Sequence, residues 1–189
     1  TTIHTFTANE SVTWSLNGGA DSSMFSINSS TGALTFSSAP DYESPTDSNS
    51  DNDYIVIVRA TDSAGNTSDQ TVTVSVADVD EINPNITGPS GSAGDSTSSK
   101  SINENTTAIH SFSANETVTW SLNGGDDASK FSINTSTGAL SFSSAPNYEL
   151  PTDNDSDNNY VVVVRATDSA GNTSDQTVTV SVADIDETD

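Results

Sequence analysis

The chain has 189 residues, of which 27 are acidic and 4 basic, giving a formal net charge of −23. That balance excludes a nucleic-acid binder, which needs Lys and Arg for its phosphate contacts, and argues against docking on anionic membranes. With no Cys there is neither a disulfide framework nor a thiolate metal site, no apolar run approaches the roughly 20 residues of a membrane helix, and a hydrophobic content of 31% implies a thin core that needs more than apolar burial.

In chain order, Val12, Trp14 and Leu16 alternate with Thr13 and Ser15, the period of a half-buried strand with Trp14 facing inward. Asn17-Gly18-Gly19 follows as a turn, since Asn and Gly tolerate positive φ. Phe25 and Ile27 alternate around Ser26, the turn Ser30-Thr31-Gly32 follows, and Leu34 and Phe36 continue the pattern. Tyr54, Val56, Val58 and Ala60 define one face of a longer strand, with Ile55, Ile57 and Arg59 on the other. A last strand runs from Thr71 to Val76, with Val72, Val74 and Val76 on one side. Pro84 to Ser101, rich in Ser, Gly, Pro and Thr, reads as a loop or an irregular first strand.

The pattern then repeats. His4-Thr5-Phe6-Thr7-Ala8-Asn9-Glu10 returns as His110-Ser111-Phe112-Ser113-Ala114-Asn115-Glu116, and the same offset of 106 carries Trp14 to Trp120, Phe25 to Phe131, Arg59 to Arg165 and Asp78 to Asp184. Two units of one kind are expected, over 1–83 and 84–189. The residues preceding Thr107 have no counterpart before Thr1, so the chain is expected to be part of a longer array. About seven strands within a period of roughly 100 residues points to an all-β chain of two immunoglobulin-like sandwiches in tandem.

The carboxylates fall at turns and strand ends, where almost no cationic side chain can neutralise them. The densest run, Asp47-Ser48-Asn49-Ser50-Asp51-Asn52-Asp53, is matched by Asp153-Asn154-Asp155-Ser156-Asp157-Asn158-Asn159. Alternating Asp and Asn place hard oxygens around one point, which suits Ca²⁺. The run is no EF-hand, because Val58 and Val164 stand at the twelfth position. It reads equally as an ion-holding loop (Asp47, Asn49, Asp51; Asp153, Asp155, Asp157) and as a polar linker. A second set, Asp41, Glu43, Asp62, Asp78, Asp80 and Glu81, lies at strand termini that a sandwich can gather at one end, where a divalent ion would offset the repulsion.

Several motifs occur in a familiar order. They are Ile102-Asn103-Glu104-Asn105, Phe131-Ser132-Ile133-Asn134 with Thr137-Gly138-Ala139-Leu140, Asp41-Tyr42-Glu43, Arg59-Ala60-Thr61-Asp62-Ser63-Ala64-Gly65-Asn66, and Asp78-Val79-Asp80-Glu81-Ile82-Asn83-Pro84. Together they resemble cadherin repeats, specifically the bacterial cadherin-like repeats of large surface and secreted adhesins. The resemblance implies two cadherin-like Greek-key β-sandwiches, with Ca²⁺ as the cofactor at the joint between them. By that analogy the joint takes Asp41, Glu43, Asp78, Asp80 and Glu81 from the first unit, and Asp168 with Asn115 or Glu116 from the second. Glu104, Glu149, Asp184, Asp186 and Glu187 would form the half-site facing a following repeat. Asn147 replaces the residue that is Asp41 in the first unit, losing one charge there.

The resemblance further implies a secreted or cell-surface extender of a bacterial adhesin, with neighbouring repeats of the same chain as partners. A second reading is a Ca²⁺-dependent module that binds polysaccharide or another cadherin-like domain; neither reading involves nucleic acid or membrane insertion. An enzyme is not expected. There is no Cys nucleophile, and the single His of each unit, His4 or His110, lies in a polar strand-like stretch.

Overall fold

The structure, a computed structural model, describes residues 2–187. It is all-β apart from two single-turn 3₁₀ segments, Ser22–Met24 and Ala128–Lys130. The chain divides into two compact units, the first ending at Val79 and the second beginning at Asp80.

The first unit contains β1 (Thr2–Thr5), β2 (Val12–Leu16), β3 (Phe25–Ile27), β4 (Ala33–Phe36), β5 (Asp53–Asp62) and β6 (Thr67–Ser75). They form two antiparallel sheets, β1-β4-β3 and β2-β5-β6. Period-two alternation aims Tyr54, Val56 and Val58 inward, where they meet Phe6, Phe25 and Leu34 in the core. Trp14 and Val72, Val74 and Val76 pack against this core but stay only partly buried.

The second unit contains β7 (Ile86–Thr87), β8 (Thr97–Asn103), β9 (Ala108–Ser111), β10 (Ser113–Ala114), β11 (Thr119–Leu122), β12 (Phe131–Ile133), β13 (Ala139–Phe142), β14 (Asn159–Thr167) and β15 (Thr173–Ala183). Its sheets are β12-β13-β9 and β11-β14-β15-β8, with β7 and β10 pairing as a short ribbon. The segment expected to be a loop or an irregular first strand ends in a regular strand: β8 runs parallel to β15 from Thr97↔Thr177 to Asn103↔Ala183. Thr97-Ser98-Ser99-Lys100-Ser101 carries no apolar alternation, so backbone pairing with the apolar β15, not side-chain pattern, makes it a strand.

That added strand changes the packing. Val178, Val180 and Val182 are buried in the second unit, whereas their counterparts Val72, Val74 and Val76 are only half-buried. Ile86 fills the core beside Phe112 and Trp120. Gln176 is fully buried; its amide donates to the Asp95 carbonyl and its Oε1 accepts from the Ser98 hydroxyl. In the first unit the corresponding space is an open groove floored by Phe6, Trp14 and Val58.

Register also fixes the poles of the second sandwich. Asn159 lies opposite Ser181, and Thr167 opposite Thr173. Asp168, just past β14, and Asp184, just past β15, therefore stand at opposite ends of the unit.

Candidate metal centre

At the pole of the second unit where the chain begins, Asp80, Glu116 and Asp168 each present a carboxylate oxygen within 4.8 Å of the others. Asp168 is held by its own turn: its Oδ1 accepts the N–H groups of Gly171 and Asn172, and its Oδ2 accepts the Asn172 amide. The other hydrogen of that amide system is used as well, since Asn172 Nδ2 donates to the Asp80 carbonyl and so ties the incoming segment to the β14–β15 turn. Burial works to raise the Asp168 pKa, but the hydrogen bonds from Asn172 and Gly171 outweigh it and the carboxyl sits below its ordinary range. Glu116 is displaced upward, by burial first and then by the charges of Asp80 and Asp168. Of the two alternatives from the sequence, Glu116 joins the cluster. Asn115 instead accepts the Asn85 N–H through Oδ1.

At the opposite pole Glu104, Glu149 and Asp184 converge to the same 4.8 Å limit. Glu104 is fully buried, and its two oxygens accept the N–H groups of Tyr148 and Ile185, each at 3.0 Å. These two bonds hold its pKa down against the opposing effect of burial. Glu187 accepts from the Asn105 amide, and Asp186 is exposed.

In the first unit, Glu43 and Asp78 bring carboxylate oxygens within 4.8 Å of each other, repeating Glu149 and Asp184. Asp41 is engaged in a turn, where Oδ1 accepts the Glu43 and Ser44 N–H groups. Asp62 binds Ala64, Asn66 and the Asn66 side chain, the same turn as at Asp168. Asp80 and Glu81 fall in the second unit.

The Asp/Asn runs are ordered loops. Asp153, Asp155 and Asp157 gather within 4.8 Å, and Asp153 Oδ2 accepts the Asp157 N–H. Asp155 is displaced upward by burial and by Asp157 and Asp153. In the first unit Asp47 Oδ2 accepts the Asp51 N–H, while the Asn49 amide donates to Asp51 Oδ2 at 2.7 Å.

Sequence reasoning missed the residues that brace these loops. Asp127 is buried, with Oδ1 accepting the Asn154 N–H at 2.7 Å and Oδ2 the Val161 N–H at 2.8 Å. Asp21 does the same with Ser48 and Ile55. Both follow the Gly-Gly turn by two residues, and an Asp there carries no signal that it reaches a segment 27 residues away.

All donors at these clusters are hard oxygens, and the two ion pairs among the described residues, Arg59–Asp69 and Arg165–Asp175, involve none of them. The donor set fits Ca²⁺, which takes carboxylate and carbonyl oxygens in flexible geometry.

Residues 5–77 match the family model of the cadherin domain. The fold is cadherin-like. Human CDH23 EC21–23 is 20% identical, covering 99% of this chain and 69% of its own, with a TM-score of 0.47. Mouse cadherin-23 EC22–24 is 21% identical over 93% of this chain, with a TM-score of 0.49, and the chain spans 55% of its length. Drosophila N-cadherin EC1–4 is 16% identical over 95% of this chain and 43% of its own, with a TM-score of 0.44. The search of curated proteins gave no match. No helix among the described residues is long and apolar enough to cross a membrane.

Proposed function

We propose that the chain is a pair of calcium-binding, cadherin-like extender repeats from a bacterial surface adhesin. The observation that carries this reading is the pair of carboxylate clusters at opposite poles of one sandwich, Asp80/Glu116/Asp168 and Glu104/Glu149/Asp184. Acids at both ends of a repeat are what a tandem array needs if each joint is held by cations shared between consecutive repeats. In this reading Asp41, Glu43, Asp62, Asp78, Asp80 and Glu81 serve the joint together with Glu116 and Asp168. Glu104, Glu149, Asp184, Asp186 and Glu187 serve the next one. The calcium supplies charge neutralisation and cross-linking of strand ends; the protein's part is to pre-set the carboxylates through backbone hydrogen bonds such as those to Glu104.

The test is a thermal melt of the whole chain in EDTA, in millimolar Ca²⁺ and in millimolar Mg²⁺, followed by small-angle scattering. Binding at 100-fold above the dissociation constant stabilises by about 2.7 kcal/mol, so a rise of several degrees in Ca²⁺ alone is expected, with a narrower distribution of particle lengths. Identical melts in EDTA and Ca²⁺ would sink the proposal.

A further inference from the structure

We propose that the loop Asp153–Asp157 is a calcium site internal to the second repeat, built from carboxylates other than those at the poles. It does not rest on the reading of the poles.

Three carboxylates spaced two residues apart present oxygens within 4.8 Å. An acidic cluster alone would mean little, since exposed acids are often simply hydrated. Here, however, Asp153 is only 6% exposed, and its Oδ1 is buried with no hydrogen-bond partner, although Oδ2 accepts the Asp157 N–H. A buried, unpartnered carboxylate oxygen is costly unless a cation or donor meets it. The same orphan recurs in the first repeat, where Asp47 is 6% exposed, Oδ1 has no partner and Oδ2 accepts the Asp51 N–H. A second buried oxygen, Oδ1 of Asn158, is also unpartnered, with its amide turned by donation to the Tyr148 carbonyl. Asn52 repeats this with Tyr42. The loop thus aligns its donors elsewhere and leaves acceptors over, the arrangement a hard cation completes.

Calcium is favoured over magnesium because one short loop supplies carboxylate and amide oxygens directly from the chain, which a large ion with six to eight flexible oxygen contacts accepts more readily than a strictly octahedral ion that keeps its waters. Among these three ligand positions the two repeats differ at one. Asn49 stands where the second repeat has Asp155, and its amide already satisfies Asp51. With two carboxylates and an amide in place of three carboxylates, the first loop holds calcium more weakly than the second.

The test is an amide-resolved NMR titration of the full chain with Ca²⁺ and, separately, Mg²⁺. The N–H signals of Asn154, Asp157 and Asn159 should move with Ca²⁺, and those of Ser48, Asp51 and Asp53 only at higher concentration. Asp155→Asn, an exposed position, should weaken the response of the second loop tenfold or more without altering that of Gly171 and Asn172 at the pole. Asn49→Asp should strengthen the first loop. Signals from 154–159 that stay fixed through about 10 mM Ca²⁺, well above the range of weak extracellular calcium modules, would overturn the proposal. So would an equal response to Mg²⁺ or an unaltered response in Asp155→Asn. Because the pole signals are read separately, failure here and failure of the joint model are distinguishable.

Discussion

Replacing Asp127 with Ala removes the acceptor for two backbone N–H groups at once, those of Asn154 and Val161. The carboxylate is 3% exposed, so water does not replace it at no cost. A hydrogen bond to a charged group contributes about 1.5–3 kcal/mol, and orphaning a buried donor costs about 1–3 kcal/mol. Asn154 is exposed and rehydrates, whereas Val161 lies within β14 and is half-buried. Val161 therefore dominates, and the total comes to about 3 kcal/mol. For a domain of this size that is a fall of roughly 12 °C or more in melting temperature. Urea unfolding read by Trp120 emission, in a Trp14→Phe background, isolates the second repeat. Asp127→Asn should fare little better, because its NH₂ would face one of the two donors. Asp21→Ala, read by Trp14 with Trp120→Phe, should cost less, since Ile55 is more exposed than Val161. A loss below about 1 kcal/mol for Asp127→Ala would refute the view that this carboxylate braces the loop.

Gly125→Ala should be strongly destabilising. Its φ is +97°, and a Cβ there would lie 2.5 Å from the Val161 carbonyl oxygen and 2.5 Å from the Val162 Cα; a loss of soluble expression or a large drop in melting temperature checks this. Asp175→Ala should cost under about 1 kcal/mol in urea unfolding, because its bidentate pair with Arg165 is solvent-exposed. Calorimetry in EDTA should resolve acid sensitivity of two signs. The lowered pKa of Glu104 means its contribution is fully present above its ordinary value of 4.5 and lost as pH falls through the lower folded value. Glu116, whose pKa is raised, acts oppositely: protonating it as pH falls toward its folded value relieves repulsion, so stability rises slightly before it falls. Saturating Ca²⁺ should abolish that initial rise. A monotonic fall in EDTA would contradict it.

The strands β2, β5 and β14 were legible because one face of each is apolar at period two, and the turns because Asn-Gly and Thr-Gly carry their own conformational preference. The internal repeat, the acid distribution and the all-β class likewise follow from residue order alone. The strand β8 was legible only as a loop or an irregular first strand, because its polar run is ordered by parallel backbone pairing with β15, an interaction some 80 residues distant that leaves no side-chain period. The choice of Glu116 over Asn115 was not legible either: both lie in the bend after β10, and Asn115 Oδ1 is taken up by the N–H of Asn85, 30 residues away, while Glu116 meets Asp80 and Asp168. The clamps Asp21 and Asp127 and the unpartnered oxygens of Asp47 and Asp153 depend on which backbone N–H groups come within reach. Sequence determined where the charge is and that something must neutralise it. Tertiary structure decided which carboxylates meet, because hydrogen bonds and register act between segments that the chain separates.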